Sequence, residues 1–255
     1  MKQLLLWLSL YMIMSTEIVR AEEITIAAAS DLNFTFKELI PEYETASGDR
    51  VKLTLGSSGN FFAQIQHGAP FDLYFSADIA YPKKLEESGL TVLGSLYRYA
   101  IGRIVLWARH DSPIDVTQGL AALRQPSAKK IAIANPKHAP YGRAAVAAME
   151  HGGVYADISD RLVLGENVSQ AAQFVESGAA DIGIIALSLA LAPAMSTKGT
   201  YWEIPAETHP PLEQGAVIIK ASKRADSAKR FLEFVQSRHG QTIMTRYGFA
   251  TPEVR

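Results

Sequence analysis

Residues 24–43 read Ile24-Thr25-Ile26-Ala27-Ala28-Ala29-Ser30-Asp31-Leu32-Asn33-Phe34-Thr35-Phe36-Lys37-Glu38-Leu39-Ile40-Pro41-Glu42-Tyr43, and their character changes once. Ile24–Ala28 is a short apolar, β-rich run. Beyond it Leu32, Phe36, Leu39, Ile40 and Tyr43 fall on one helical face. Ser30 stands at the junction, where a helix N-cap would sit. The same change recurs down the chain. Further strand candidates are Val51–Leu55, Leu73–Phe75, Arg103–Ala108, Ile131–Ala134, Ile182–Ile185 and Ala216–Ile219. Helical faces between them are carried by Phe61, Phe62 and Ile65, by Ala145, Ala148 and Met149, and by Val168, Ala171, Ala172 and Val175. Strands alternating with helices predict an α/β fold with mostly parallel sheets. Pro113, Pro126, Pro136 and Pro210-Pro211 punctuate loops, and no stretch reads as a flexible linker or an internal repeat. Two lobes sharing the chain fit this pattern better than independent domains.

The totals narrow the class. With 48% hydrophobic and 20% charged residues over 255, the chain has ordinary globular composition and enough length for a large core. The formal net charge of -1 supplies no basic field for nucleic acid. At the N-terminus Lys2 precedes an apolar stretch, Leu4–Met14, and Val19-Arg20-Ala21 then leads into Glu22-Glu23. This predicts a secretory signal peptide over residues 1–21, cut after Ala21. The apolar stretch is short of the ~20 residues a membrane span requires. Cysteine is absent, so neither a disulfide framework nor a lipid-modified cysteine is expected, and a free periplasmic protein is the predicted product. Loss of Lys2, Arg20 and Glu17 leaves the mature chain one unit more acidic.

Four junctions share one chemical logic: Ala27–Leu32 around Ser30, Gly56-Ser57-Ser58-Gly59-Asn60, Pro140-Tyr141-Gly142, and Gly165-Glu166-Asn167-Val168. Each places a small, hydroxyl or amide residue at a helix start. Such a start offers unpaired N–H groups and the positive end of the helix dipole, and serine hydroxyls add neutral donors. Each junction alone fits ordinary capping or a turn. Together, in a chain marked for export, they point to an anion or polar ligand held in a cleft.

The ordered set Ala28-Ala29-Ser30, Gly56-Ser57-Ser58, Gly68-Ala69-Pro70-Phe71-Asp72-Leu73-Tyr74-Phe75-Ser76-Ala77-Asp78, Pro140-Tyr141-Gly142, Glu166-Asn167-Val168 and Tyr247-Gly248-Phe249 resembles the periplasmic molybdate-binding proteins of ABC importers over essentially the whole mature chain. The Ala69–Asp78 stretch is its most specific part. The resemblance implies a two-lobed type II periplasmic binding fold. By that analogy lobe I spans residues 22–101 and 216–255, lobe II spans 102–215, and crossing strands run near Tyr99–Leu106 and Gln214–Ile219. It further implies a monomeric receptor that takes molybdate, and comparably tungstate, to an ABC transporter permease without a cofactor or bound metal cation. Ser30 and Ser58 match the family's serine ligands of the oxyanion, and Tyr141 and Val168 match its backbone N–H donors. Some members also place a tyrosine hydroxyl on the ligand where this chain has Ala186, so the Tyr141 hydroxyl is the expected replacement. Asp31 is expected to turn away from the ligand onto its own helix start, and Asp72 and Asp78 to hold turns near the lobe interface.

Enzyme chemistry finds little footing. Gly56-Ser57-Ser58-Gly59 falls one residue short of a Gly-x-Ser-x-Gly nucleophile elbow. The histidines at 67, 110, 138, 151, 209 and 239 show no metal-ligand spacing. A receptor for another oxyanion or a small organic anion is the nearer alternative, and a secreted serine hydrolase the distant one.

Overall fold

The computed structural model describes residues 21–251, so the expected leader lies outside the described residues except for Ala21. Strands β1 (Glu23–Ala29), β2 (Arg50–Gly56), β3 (Leu73–Ser76) and β4 (Tyr97–Gly102) are joined through helices α1 (Asn33–Ser47), α2 (Ser58–Gln66) and α3 (Ala80–Glu87). After one residue, Arg103, the chain enters β5 (Ile104–Arg109), β6 (Ile131–Ala134), β7 (Leu162–Gly165), β8 (Ile182–Ala186) and β9 (Gly199–Glu203). Among these lie α4 (Pro140–His151), α5 (Tyr155–Ile158), α6 (Val168–Glu176), α7 (Leu187–Ala190) and α8 (Pro193–Ser196). The chain then returns through β10 (Leu212–Ile218) and closes with α9 (Ala225–Gln236) and α10 (Arg238–Arg246).

Two five-stranded sheets result, ordered β2-β1-β3-β10-β4 and β7-β6-β8-β5-β9. In each, three strands run parallel (β2-β1-β3 and β7-β6-β8) and two more add antiparallel, making both sheets mixed. The chain passes from the first sheet to the second at Gly102–Ile104. The return lies between β9 and β10, at 204–211, ahead of the expected 214–219. Pro205, Pro210 and Pro211 carry it, and Leu212 already pairs with Gly102 in the first sheet. The polar Glu213-Gln214 pair hid the start of this strand from a reading based on apolar runs.

Each sheet packs its own core. On the first, Phe36, Phe75 and Phe231 meet edge to face, with ring centroids 5.1 to 5.9 Å apart, and Leu39, Tyr43 and Ile243 fill around them. On the second, Trp107, Ile133, Met149, Val175 and Ile185 are fully buried. The predicted helical faces are the ones that bury: Leu32, Phe36, Leu39 and Tyr43 on the first sheet, Ala145, Ala148 and Met149 on the second. With β1, β2, β3, β6 and β7 fixed by these cores, their C-terminal ends face one another. Open α/β sheets receive ligands at such ends.

Candidate functional site

Ala29 at the end of β1 with Ser30 and Asp31 after it, Gly56 at the end of β2 with Ser57 and Ser58 after it, and Ala77 after β3 line one side of a cavity. Ala139, Pro140, Tyr141, Asn167 and Val168 line the other. The cavity is narrow, with about 10 Å³ open to the centre of a water-sized sphere, far below the ~300 Å³ at which pockets for drug-sized ligands begin. A ligand filling it is small. All four residues expected from the sequence, Ser30, Ser58, Tyr141 and Val168, are buried and brought together on this one cavity.

Hydrogen bonding orients the two serines. Ser58 Oγ accepts from the Ala77 N–H at 2.9 Å, and Ser30 Oγ accepts from the Ser169 N–H at 3.2 Å. In both hydroxyls a backbone donor occupies the oxygen, which leaves the O–H hydrogen free to donate into the cavity. Ser30 therefore does not cap α1. It opens a short 3-10 turn, Ser30–Leu32, and its side chain is spent across the cleft. Opposite, Asn167 is a true N-cap, accepting from Gln170 N at 3.1 Å, and Pro140 occupies the first turn of α4. The N–H groups of Tyr141 and Val168, in the first turns of α4 and α6, have no intrahelical acceptor to reach. Gly142 sets α4 close against the end of β6, since a Cβ there would fall 2.1 Å from the Ala134 carbonyl oxygen.

Contacts across the cleft hold its sides together. The His138 carbonyl accepts from Ser57 Oγ at 2.6 Å and from Gly59 N at 2.9 Å. Ser169 Oγ donates to the Ser30 carbonyl at 2.8 Å. Arg143 pairs with Asp78 at 2.6 Å and donates to the Tyr81 hydroxyl at 3.2 Å. Asp78 thus serves the interface as expected. Asp72 instead stands before β3, at the other end of the sheet, where it accepts from Thr25 N and Ser222 Oγ at 2.7 Å each.

His138 Nδ1 lies 2.9 Å from Ser57 Oγ, and Nε2 lies 3.6 Å from Glu166. Ser, His and Glu in sequence resemble a hydrolytic triad in composition. Their hydrogen bonds run the wrong way: the serine proton goes to the nearer carbonyl oxygen, which can only accept, so Nδ1 must donate to Oγ. A ring nitrogen that donates to the hydroxyl cannot be its base. Among the described residues no cluster of three or more His, Cys, Asp or Glu could hold a metal ion, and no helix is long and apolar enough to cross a membrane.

One expectation needs correction. The Tyr141 hydroxyl does not face the ligand space as a spare donor. It donates to Asp31 Oδ2 at 3.0 Å and accepts from Gln214 Nε2 at 3.0 Å. Ala186 is the last residue of β8, fully buried and paired with Ile104. Two residues on, Ser188 Oγ donates to the Asp31 carbonyl at 2.7 Å. The Asp31 carboxyl accepts from the backbone of its own turn, at Asp31 and Leu32, and also from side chains across the cleft and on β10, with Gln214 Nε2 donating to Oδ2 at 2.7 Å. Burial pushes its pKa up to about 6, and the bonds from Gln214 and Tyr141 oppose that rise. Sequence reading missed Ser169, Gln214 and the cross-cleft role of His138. Their only local signal was proximity to helix starts or to the polar break in β10.

These features define a class: two α/β halves joined by short passages, closing on a small ligand with neutral donors from both sides. Residues 24–250 match the model of the bacterial extracellular solute-binding proteins. The molybdate-binding protein of Azotobacter vinelandii is 35% identical over 230 residues, covering 90% of each chain, and that of Rhodobacter capsulatus is 35% identical over 91% of this chain and 89% of its own. The solved structure of the Azotobacter vinelandii periplasmic molybdate-binding protein superposes with a TM-score of 0.85 at 32% identity, covering 90% of this chain and all of that one. The chain belongs to the bacterial extracellular solute-binding family, whose members bind and release rather than transform their ligands.

Proposed function

We propose that this protein captures molybdate, and tungstate comparably, in the periplasm and delivers it to an ABC transporter permease as a monomer. The observation that carries the reading is the convergence of two buried serines and two helix starts on one small cavity. In this reading Ser30 and Ser58 donate through their hydroxyls, and Tyr141 and Val168 through backbone N–H. The relatives' molybdate ligand agrees with a space that admits one small ion. Each hydrogen bond to a charged ligand contributes roughly 1.5–3 kcal/mol, so a handful offsets the desolvation of a dianion. Closure sums donors from both halves, and the ligand selects the closed form.

The test is calorimetry of the mature, ligand-free protein against molybdate, tungstate, sulfate and phosphate. Tight binding of the first two and weak binding of sulfate are expected, because a smaller anion cannot reach every fixed donor at once. Phosphate is the informative competitor. Asp31 is an acceptor in the cavity wall and, while ionised, suits an oxyanion that carries a proton. Strong heat with sulfate or phosphate and none with molybdate overturns the reading.

A further inference from the structure

Asp31 is the one charged residue among those lining the cavity. It is fully buried, and among the described residues no lysine, arginine or histidine pairs with it. Neutral groups hold it instead. Oδ2 accepts from the Tyr141 hydroxyl on α4 and from Gln214 Nε2 on β10, while Gln214 Oε1 is itself fixed by the Tyr99 hydroxyl at 2.6 Å. Oδ1 has no hydrogen-bond partner. An unpaired oxygen on a buried carboxylate is costly, and a native structure that keeps one calls for an explanation.

A dianion held by Ser30 would sit one residue away from this carboxylate in a water-poor space. Like charges at such separation cannot both persist, and the weaker base of the pair does not give way. Oδ2 already receives two donors, so an added proton goes to Oδ1. We propose that the site takes up its oxyanion together with one proton, carried on Asp31 Oδ1. Protonation removes the only charge of the wall and turns its unpaired acceptor into a donor. The inference rests on the oxyanion reading and adds to it a coupled ligand.

The groups around Asp31 leave it as the acceptor of that proton. Tyr141 on α4 and Tyr99 on β4 are the titratable groups that face it. Burial holds both phenols well above the ordinary range, so both stay neutral donors. Gln214 of β10 and Ser188 of α7 reach it as neutral groups, and Ser169 of α6 reaches the same turn through Ser30. On its own chain Asn33 and Phe34 follow at the start of α1, and β2 ends beside it in Gly56. With the free carboxyl titrating at about 6, the neutral-pH protein carries Asp31 mostly ionised, and binding must draw a proton from solvent.

The experiment is titration calorimetry of the full mature protein with sodium molybdate in buffers of different ionisation enthalpy. At about pH 7.5 the buffer dependence should report close to one proton taken up per molybdate, and Kd should rise about tenfold per pH unit from about pH 7 to about pH 8.5. Asp31→Asn, which mimics the protonated acid, should show no uptake and a flat pH profile. At about pH 8, two units above the free carboxyl, it should bind up to about 100-fold tighter than wild type. Wild-type binding without proton uptake overturns the proposal and leaves the oxyanion reading standing. Uptake that persists in Asp31→Asn overturns the assignment to Asp31. Absence of molybdate binding at every pH removes the oxyanion reading and the proposal together.

Discussion

Replacing Ser58 by alanine separates a hydroxyl that binds from one that only builds. The side chain is fully buried and lines the cavity, and its oxygen accepts from Ala77 N at 2.9 Å, which leaves the hydroxyl hydrogen free to donate. Deleting Oγ removes one donor to a charged ligand, worth about 1.5–3 kcal/mol, or an affinity loss of ~10- to ~150-fold. It also strands the Ala77 N–H in both ligand states, a separate destabilisation of about 1–3 kcal/mol. For a chain of this size that lowers Tm by about 2–4 °C per kcal/mol. Calorimetry with molybdate and thermal melting of the ligand-free protein read the two effects independently. Both should change. Wild-type affinity with a lowered Tm would show that the Ser58 proton does not reach the ligand, and the hydrogen-bond directions assigned here would be wrong. An unchanged Tm would show that the Ala77 amide does not depend on Oγ.

Three further substitutions probe other parts of the argument. A Cβ at Gly59 would lie 2.7 Å from the His138 carbonyl oxygen across the cleft, so Gly59→Ala should hold the halves apart without unfolding either. Molybdate binding should weaken at least ~100-fold and small-angle scattering should show no contraction on adding the anion; wild-type affinity sinks the closed-cleft picture. Tyr141→Phe removes a donor from ionised Asp31 and should lower stability by about 1–3 kcal/mol at about pH 8. Because the Asp31 pKa is raised in the folded state, the deficit should shrink as pH falls through about 6 and the carboxyl protonates; a deficit that grows in acid contradicts this. Asp49, fully buried, accepts from Tyr43 and Arg230 at 2.8 Å each. Burial pushes its pKa up, and those bonds outweigh it and hold the value below the ordinary range. Its contribution is therefore present above the unfolded carboxylate value and lost as pH falls through the folded one. Asp49→Asn should cost about 1–3 kcal/mol in neutral melts, with the gap closing in acid; a pH-independent gap refutes the charge argument.

What the sequence disclosed follows the physics of burial. Strands at the centre of each sheet are covered on both faces and read as apolar runs, as Ile131–Ala134 and Ile182–Ile185 do. The strands that escaped notice, Tyr97–Gly102, Leu162–Gly165 and Gly199–Glu203, all lie at sheet edges, where solvent relaxes the demand for apolar residues. β2 is also an edge, yet it was legible because its exposure alternates residue by residue. The site divides likewise. Ser30, Ser58, Tyr141 and Val168 belong to helix starts and carry a local signature. The directions of the serine protons do not, since they depend on Ser169, 139 residues from Ser30, and on Ala77, 19 from Ser58. Nor does the fate of the Tyr141 hydroxyl, which Asp31 takes from 110 residues away.

The absence of a cation from the cavity wall bears on how such a receptor works. A chain of net charge -1 whose pocket contains a carboxylate gains nothing from long-range attraction of an anion. Affinity must come from short-range donors, and these are divided between two halves of the molecule. On the proposed reading, an open form would present two of these donors on each half to water, and a dianion would exchange hydration for very little. Closed, the same donors act together in a space from which water is excluded. The contacts that join the halves are individually modest: neutral hydrogen bonds contribute about 0.5–1.5 kcal/mol, and the partly exposed Arg143–Asp78 pair about 0–1. On the proposed reading, closure would be a balance that a bound anion can tip, not a lock. On the same reading, separation of the halves by the transporter would dissolve the site, since no lysine or arginine lines it. On the proton-coupled account it also frees Asp31 to ionise, which opposes recapture.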